Sequence, residues 1–140
     1  GRVLIQTYHP EHYALEHAIT QDFRAFYEHE IEFRRRMNYP PFVSLGQILF
    51  KHGNYEYAFK NAVIMMNALR NSDTEQKCIL LGPAPAPLSR LKGEYRVQIL
   101  VKSRNRRVLR ETIDIAVAEA EAKSCDIKTA SIEIDPMNLL

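Results

Sequence analysis

The 140-residue sequence predicts an α+β fold of the ferredoxin-like kind, a β-α-β-β-α-β split unit with one four-stranded antiparallel sheet and both helices on one face. Three observations carry it. Tyr95, Val97, Ile99 and Val101 alternate with Arg96, Gln98 and Lys102, the period-two signature of a strand, with Leu100 the exception. Two stretches repeat apolar residues at three- and four-residue spacing, as amphipathic helices do. The strand and helix patterns then follow one another in the order of that unit.

Gly1-Arg2 runs at once into Val3-Leu4-Ile5, and residues 3–7 read as a strand deprived of its sheet neighbours, hence as part of something longer. Pro10 suits a first helical turn, where its missing N–H has no partner to lose. Ala14, Leu15, Ala18, Ile19, Phe23, Phe26, Tyr27 and Ile31 give one apolar face, and the spacing predicts one long helix. On its polar face Glu30–Arg34 and Glu32–Arg36 lie four apart, each pair adding about 0.2–0.5 kcal/mol. Tyr39-Pro40-Pro41-Phe42 ends the helix, because proline disfavours helical geometry in the residue before it. The expected organisation is a terminal strand over 1–9, a connecting helix and Pro-Pro linker over 10–42, and the ferredoxin-like domain over 43–140.

Within that domain residues 45–51 form a strand candidate ending at His52-Gly53-Asn54, and 55–70 are helical, with Ala58, Phe59, Ala62, Val63, Met66 and Leu69 on one side. Residues 78–81 make a short strand that feeds Gly82-Pro83-Ala84-Pro85-Ala86-Pro87. That string reads as a turn entering the next strand, with a polyproline II ligand as the alternative. Either Ser103 or Asn105 is placed to cap the next helix, whose stripe is Val108, Leu109, Thr112, Ile113, Ala116, Val117 and Ala120. The last strand spans 127–135 and stops at Pro136. The helix-free sheet face is expected to carry Arg96, Gln98 and Lys102, open to solvent unless another domain covers it.

Charge is polarised along the chain. From Arg90 to Arg110 eight cations (Arg90, Lys92, Arg96, Lys102, Arg104, Arg106, Arg107, Arg110) stand against Glu94 alone, a net +7 inside a chain of net +2. Such a stretch fits an anionic partner, and its bland counterpart is a solvated charged surface. Arg106 and Arg110 sit one turn apart at a helix start, where a fork of guanidinium groups suits a phosphate or a peptide carboxylate. No phosphate-binding glycine motif occurs, Cys78 and Cys125 form no CxxC pair, and His9, His12 and His17 lack the spacing of a metal site. Serines lack a neighbouring base, and the carboxylate pairs read as a solvated helix face. No apolar run approaches the roughly 20 residues needed to cross a bilayer. The residues indicate binding, not catalysis.

The stretch Gly1-Arg2-Val3-Leu4-Ile5-Gln6-Thr7-Tyr8-His9-Pro10-Glu11-His12, then Tyr39-Pro40-Pro41-Phe42, then GPAPAPLSRLKGEYRVQIL over 82–100, then the ending from Ile134-Asp135-Pro136 to Leu140, resemble in order the C-terminal part of the replication-restart helicase family PriA (primosomal protein N′). The resemblance covers essentially the whole chain. It implies an ATP-dependent 3′→5′ DNA helicase of the primosome whose ATP, magnesium and zinc sites lie in earlier segments, so the chain itself carries no cofactor and no enzyme activity. Residues 1–9 would be the terminal strand of helicase lobe 2. The C-terminal domain is then expected to bind single-stranded or forked DNA and to help capture the C-terminal tail of single-stranded DNA-binding protein, or else to serve as a structural domain docked on the helicase core. Expected partners are DNA, that tail, other primosome proteins and the helicase core of the same chain, with no membrane, in a cytoplasmic, nucleoid-associated setting. Arg90, Lys92, Arg96, Lys102, Arg104 and Arg107 are the nucleic-acid candidates. Arg106 matches the family's tail-binding arginine, and Arg110 stands where relatives carry glutamine. Val97 replaces a common tryptophan, which on this reading removes a stacking platform.

Overall fold

The computed structural model describes residues 1–137; residues 138–140 of the closing motif lie outside the described residues. The first 37 residues form one compact unit and the chain from Asn38 onward forms a second. In the first unit the stretch predicted as one helix is two, α1 (Tyr13–Thr20) and α2 (Phe23–Arg36). Gln21 takes a left-handed backbone with φ of 55° and closes α1 by donating its N–H to the Ala18 carbonyl. The Asp22 carboxylate then accepts the Ala25 N–H at 2.9 Å and starts α2. The apolar spacing runs on through this break, so periodicity alone passes over it. Tyr13 joins the two helices. Its ring stacks on His29 at 4.2 Å, and its hydroxyl donates to Glu30, which also receives Arg34 at 2.6 Å. The hydrogen bond to Glu30 pushes the Tyr13 hydroxyl above its ordinary range and holds the Glu30 carboxyl low. Residues 3–7, expected as a strand, form none. Val3 and Leu4 are 90% and 96% exposed, and among the described residues no strand pairs with them.

The second unit has the ferredoxin-like topology. Its sheet comprises β1 (Ser44–His52), β2 (Cys78–Leu91), β3 (Glu94–Ser103) and β4 (Ala130–Ile134) in the spatial order β2-β3-β1-β4, with every pair antiparallel. Between strands run α3 (Tyr55–Ser72) and α4 (Arg106–Ala122), and a single 3-10 turn, Ile127–Thr129, precedes β4. Ile48 and Phe50 of β1 and Val97, Ile99 and Val101 of β3 point to the helices, where they meet Ala62, Met65 and Leu69 of α3 and Leu109, Ile113 and Ala116 of α4. Small alanines on both helices let them approach the sheet closely. Gly46 belongs to the same layer, since a Cβ there would stand 2.8 Å from Ile113 Cδ1. Asn54 starts α3 by accepting the Tyr57 N–H at 3.0 Å. Asn105, not Ser103, caps α4, its Oδ1 accepting the N–H groups of Arg107 at 2.9 Å and Val108 at 3.3 Å.

β2 is longer than the sequence suggests, because it continues straight through the proline string. It can do so because it is an edge strand. Pro83, Pro85 and Pro87 lack N–H groups, and an edge strand has one side that needs no donors. Gly82 makes the bend that follows Leu81, with φ of 105°, and a Cβ there would lie 2.7 Å from the Gln98 carbonyl oxygen. Further on, register passes from Pro85↔Val97 to Arg90↔Tyr95, so residues 86–89 stand opposite Arg96 alone.

That bulge corrects the expectation of an open sheet face. Leu45, Gln47, Leu49, Arg96, Leu100 and Lys102 share the helix-free side, and all six are buried. Arg96 is 7% exposed, and its Nη1 donates to the Leu88 carbonyl of the bulge at 3.3 Å. Lys102 is 5% exposed, with its ammonium 3.8 Å from the centre of the Tyr39 ring. Val97 faces the helices and is fully buried, so a ring at that position would belong to the core rather than to a stacking surface.

Candidate anion-binding site

Strand β3 carries the basic segment from one end of the sheet to the other. Ten residues of strand at about 3.3 Å each put its two ends about 30 Å apart. Arg90 and Lys92 lie at the β2–β3 hairpin, exposed. Arg104, Arg106, Arg107 and Arg110 lie at the far end, around the start of α4, also exposed. Arg96 and Lys102 lie between them, buried. The eight cations that read as one surface in the sequence are therefore two exposed clusters joined by an enclosed pair.

The α4 end is the richer of the two. A pocket of about 440 Å³ opens there, lined by Lys77, Lys102, Ser103, Arg104, Asn105 and Asn38 with an apolar floor of Val43, Ile79 and Val108. Sequence reading missed Lys77 and Asn38. Lys77 lies just before β2, and pairing of Cys78 with Ser103 is what brings it beside the β3 terminus. Ser103 makes the link explicit, its hydroxyl donating to the Lys77 carbonyl at 3.1 Å. Burial pulls the Lys102 ammonium below the ordinary lysine range, which marks the pocket wall as poorly hydrated.

The cations at this end differ in how they are engaged. Arg106 Nε faces Asp135 Oδ2 at 3.5 Å, while Asp135 Oδ1 accepts the Leu45 N–H at 2.9 Å and so ties the end of β4 to the start of β1. Arg107 pairs with Glu111 one turn on, at 2.7 Å, and Lys77 pairs with Glu75. These pairs are solvent-exposed, where an ion pair contributes little and exchanges readily for an incoming anion. Because Asn105 already takes the Arg107 and Val108 N–H groups, anion binding here falls to side chains rather than to the helix start. Arg106 and Arg110 do not line the pocket but stand beside it on the exposed face of α4.

Among the described residues no group of three or more His, Cys, Asp or Glu side chains is arranged to hold a metal ion. Cys125 is buried beneath α3, its thiol pushed up to about 11 by that burial, and Cys78 is raised for the same reason. Both are therefore poor nucleophiles and poor metal ligands at neutral pH. Among the described residues no helix is long and apolar enough to cross a membrane.

Comparison with known proteins adds to this geometry. Residues 35–137 match the family described as Primosomal protein N C-terminal domain. The chain is 31% identical over 145 residues to the Replication restart protein PriA of Bacillus subtilis, covering all of this chain and 17% of that protein. It is 33% identical over 137 residues to the Replication restart protein PriA of Chlamydia muridarum, covering 98% of this chain and 18% of that protein. A third match, 28% identical, is the Replication restart protein PriA of Haemophilus influenzae, of which the chain covers 19%. The chain thus spans less than a fifth of the length of these curated relatives.

Proposed function

The chain belongs to the primosomal protein N C-terminal domain family, and from that premise we propose that it serves replication restart as a non-catalytic module binding single-stranded or forked DNA. One observation carries the reading: Arg104, Arg106, Arg107 and Arg110 gather at the start of α4, all exposed, with Arg106 and Arg107 in exchangeable ion pairs. Such a cluster grips the phosphate backbone without regard to sequence. In this reading the helicase activity, with its ATP, magnesium and zinc, belongs to other segments of a longer protein.

The neighbouring pocket favours a second use of the same end. Cations over an apolar floor suit an acidic peptide that ends in an apolar residue, because the carboxylate meets Lys77, Lys102 or Arg104 while the side chain meets Val43, Ile79 and Val108. We assign this to the tail of single-stranded DNA-binding protein, with Arg106 and Arg110 at the pocket rim. The exposed Ile19, Phe23 and Tyr27 of the first unit support docking onto the helicase core of the same chain.

Fluorescence-anisotropy titrations test both uses. With single-stranded and forked DNA, the double variant Arg104→Glu/Arg107→Glu is expected to lose about tenfold or more in affinity. Unchanged binding would overturn the DNA reading. With an acidic tail peptide, Arg106→Glu is expected to bind more weakly than the unaltered chain, and equal binding would sink the assignment to the tail.

A further inference from the structure

The hairpin end of the sheet, about 30 Å from the α4 cluster, has a chemistry of its own. Arg90 stands directly opposite Tyr95 in the β2–β3 register, and its guanidinium lies over the Tyr95 ring, 5.1 Å from the centroid. That ring meets Tyr55, the first residue of α3, in a T-shaped contact with centroids 5.8 Å apart, and Tyr55 stacks in turn on Phe59, one helical turn on, at 5.8 Å. Tyr55 is 38% exposed despite these contacts. Lys92 tops the hairpin, where both Lys92 (φ 51°) and Gly93 (φ 87°) take the left-handed backbone that a tight two-residue turn requires. The tip is thus fixed by turn geometry.

Some cations of the surface are answered by an acid, and others, among them Arg104 and Arg110 at the far end, have no ion pair among the described residues. Arg24, Arg34, Arg35, Lys77, Arg106, Arg107 and Lys123 each face a carboxylate. Among the described residues neither Arg90 nor Lys92 has an ion pair, and Arg90 gives its charge to a ring instead. A partly exposed tyrosine, Tyr55, and the half-buried Tyr95, beside cations with no carboxylate partner, form the combination that grips an unpaired strand, rings taking bases and cations taking phosphates. We propose that Tyr55, Tyr95 and Arg90, with Lys92 beside them, form a base-stacking site for single-stranded DNA. Resting on the reading of the chain as a DNA-binding module, it adds a second contact at the opposite end of β3, one that recognises bases being unpaired and not merely charged.

The test compares, for the full chain, a fluorescent oligothymidylate and an abasic strand of equal length, which keeps the phosphates and lacks the rings. Oligothymidylate is expected to bind tighter. Tyr55→Ala should cut oligothymidylate affinity by about 5- to 100-fold and leave the abasic strand nearly unchanged, whereas Arg90→Ala should weaken both strands. Tyr55→Phe, which keeps a ring, should retain binding and shows that the fold is intact. Equal affinity for the two strands, or a ratio indifferent to Tyr55→Ala, overturns the stacking site while leaving phosphate binding at α4 standing. Failure of the unaltered chain to bind either strand at low salt overturns both readings.

Discussion

The eight cations of the basic segment are expected to separate into three groups with different salt signatures. Arg96 and Lys102 are buried, and Arg90 and Lys92 lie a strand length from α4, which leaves Arg104, Arg106, Arg107 and Arg110 for a short strand bound at the start of that helix. Each phosphate neutralised on single-stranded DNA contributes about −0.7 to the slope of log K against log salt, so four contacts give about −2.8 and all eight would give about −5.6. A strand long enough to reach the hairpin adds two contacts and brings the slope to about −4.2. Anisotropy titrations with oligonucleotides of roughly six and roughly twenty bases, from about 50 to 300 mM salt, measure these values. Arg107→Gln should flatten the slope by about 0.7. Arg96→Gln should leave it unchanged and instead lower the urea midpoint, because the guanidinium holds the bulge through the Leu88 carbonyl. A slope near −5.6 for the short strand would refute the division by burial, and so would an Arg96→Gln effect equal to that of Arg107→Gln.

Other perturbations follow from single contacts. Gly82→Ala places a Cβ 2.7 Å from the Gln98 carbonyl at a φ that side chains rarely adopt, and should cost about 2–4 kcal/mol in urea unfolding. Gly46→Ala meets only the mobile tip of Ile113 and should cost about 1–2 kcal/mol; a larger loss there than at Gly82 would contradict the contact geometry. The depressed Lys102 value means the unfolded chain binds more protons, so its contribution to stability is complete above the ordinary 10.5 and is lost as pH falls through the folded-state value. Lys102→Met should remove that alkaline gain, measured as the pH dependence of the urea midpoint. Asp135→Asn keeps an acceptor for the Leu45 N–H but releases Arg106, so anion affinity at α4 should rise about two- to fivefold, and a fall would argue against Asp135 as a restraint on that arginine.

The strands and helices that build the core were legible because each repeats its apolar residues at a single period. Val97, Ile99 and Val101 at spacing two and Leu109, Ile113 and Ala116 at spacing three and four leave little choice of face. Features that depend on a neighbour were not. Proline at alternate positions reads as a turn until β2 is known to be an edge strand, where missing donors do no harm. Arg96 and Lys102 alternate outward, as the period requires, yet the bulge over one and Tyr39 over the other enclose them. Their burial comes from residues on other elements, 86–89 and Tyr39. At the α4 end Arg106 and Arg110 were visible as a helical pair, while Lys77 joins them only through strand pairing. The break at Gln21 was signalled faintly, by Asp22 as a capping residue inside an otherwise unbroken stripe.

The two margins of the sheet are unequal. The prolines of β2 give that margin fewer donors to offer another chain, whereas β4, five residues long, pairs among the described residues with β1 alone. A fibre grows only if each added molecule presents a fresh open margin, and a margin interrupted by prolines is a poor one. Two copies meeting along β4 would consume both open margins and stop as a symmetric pair.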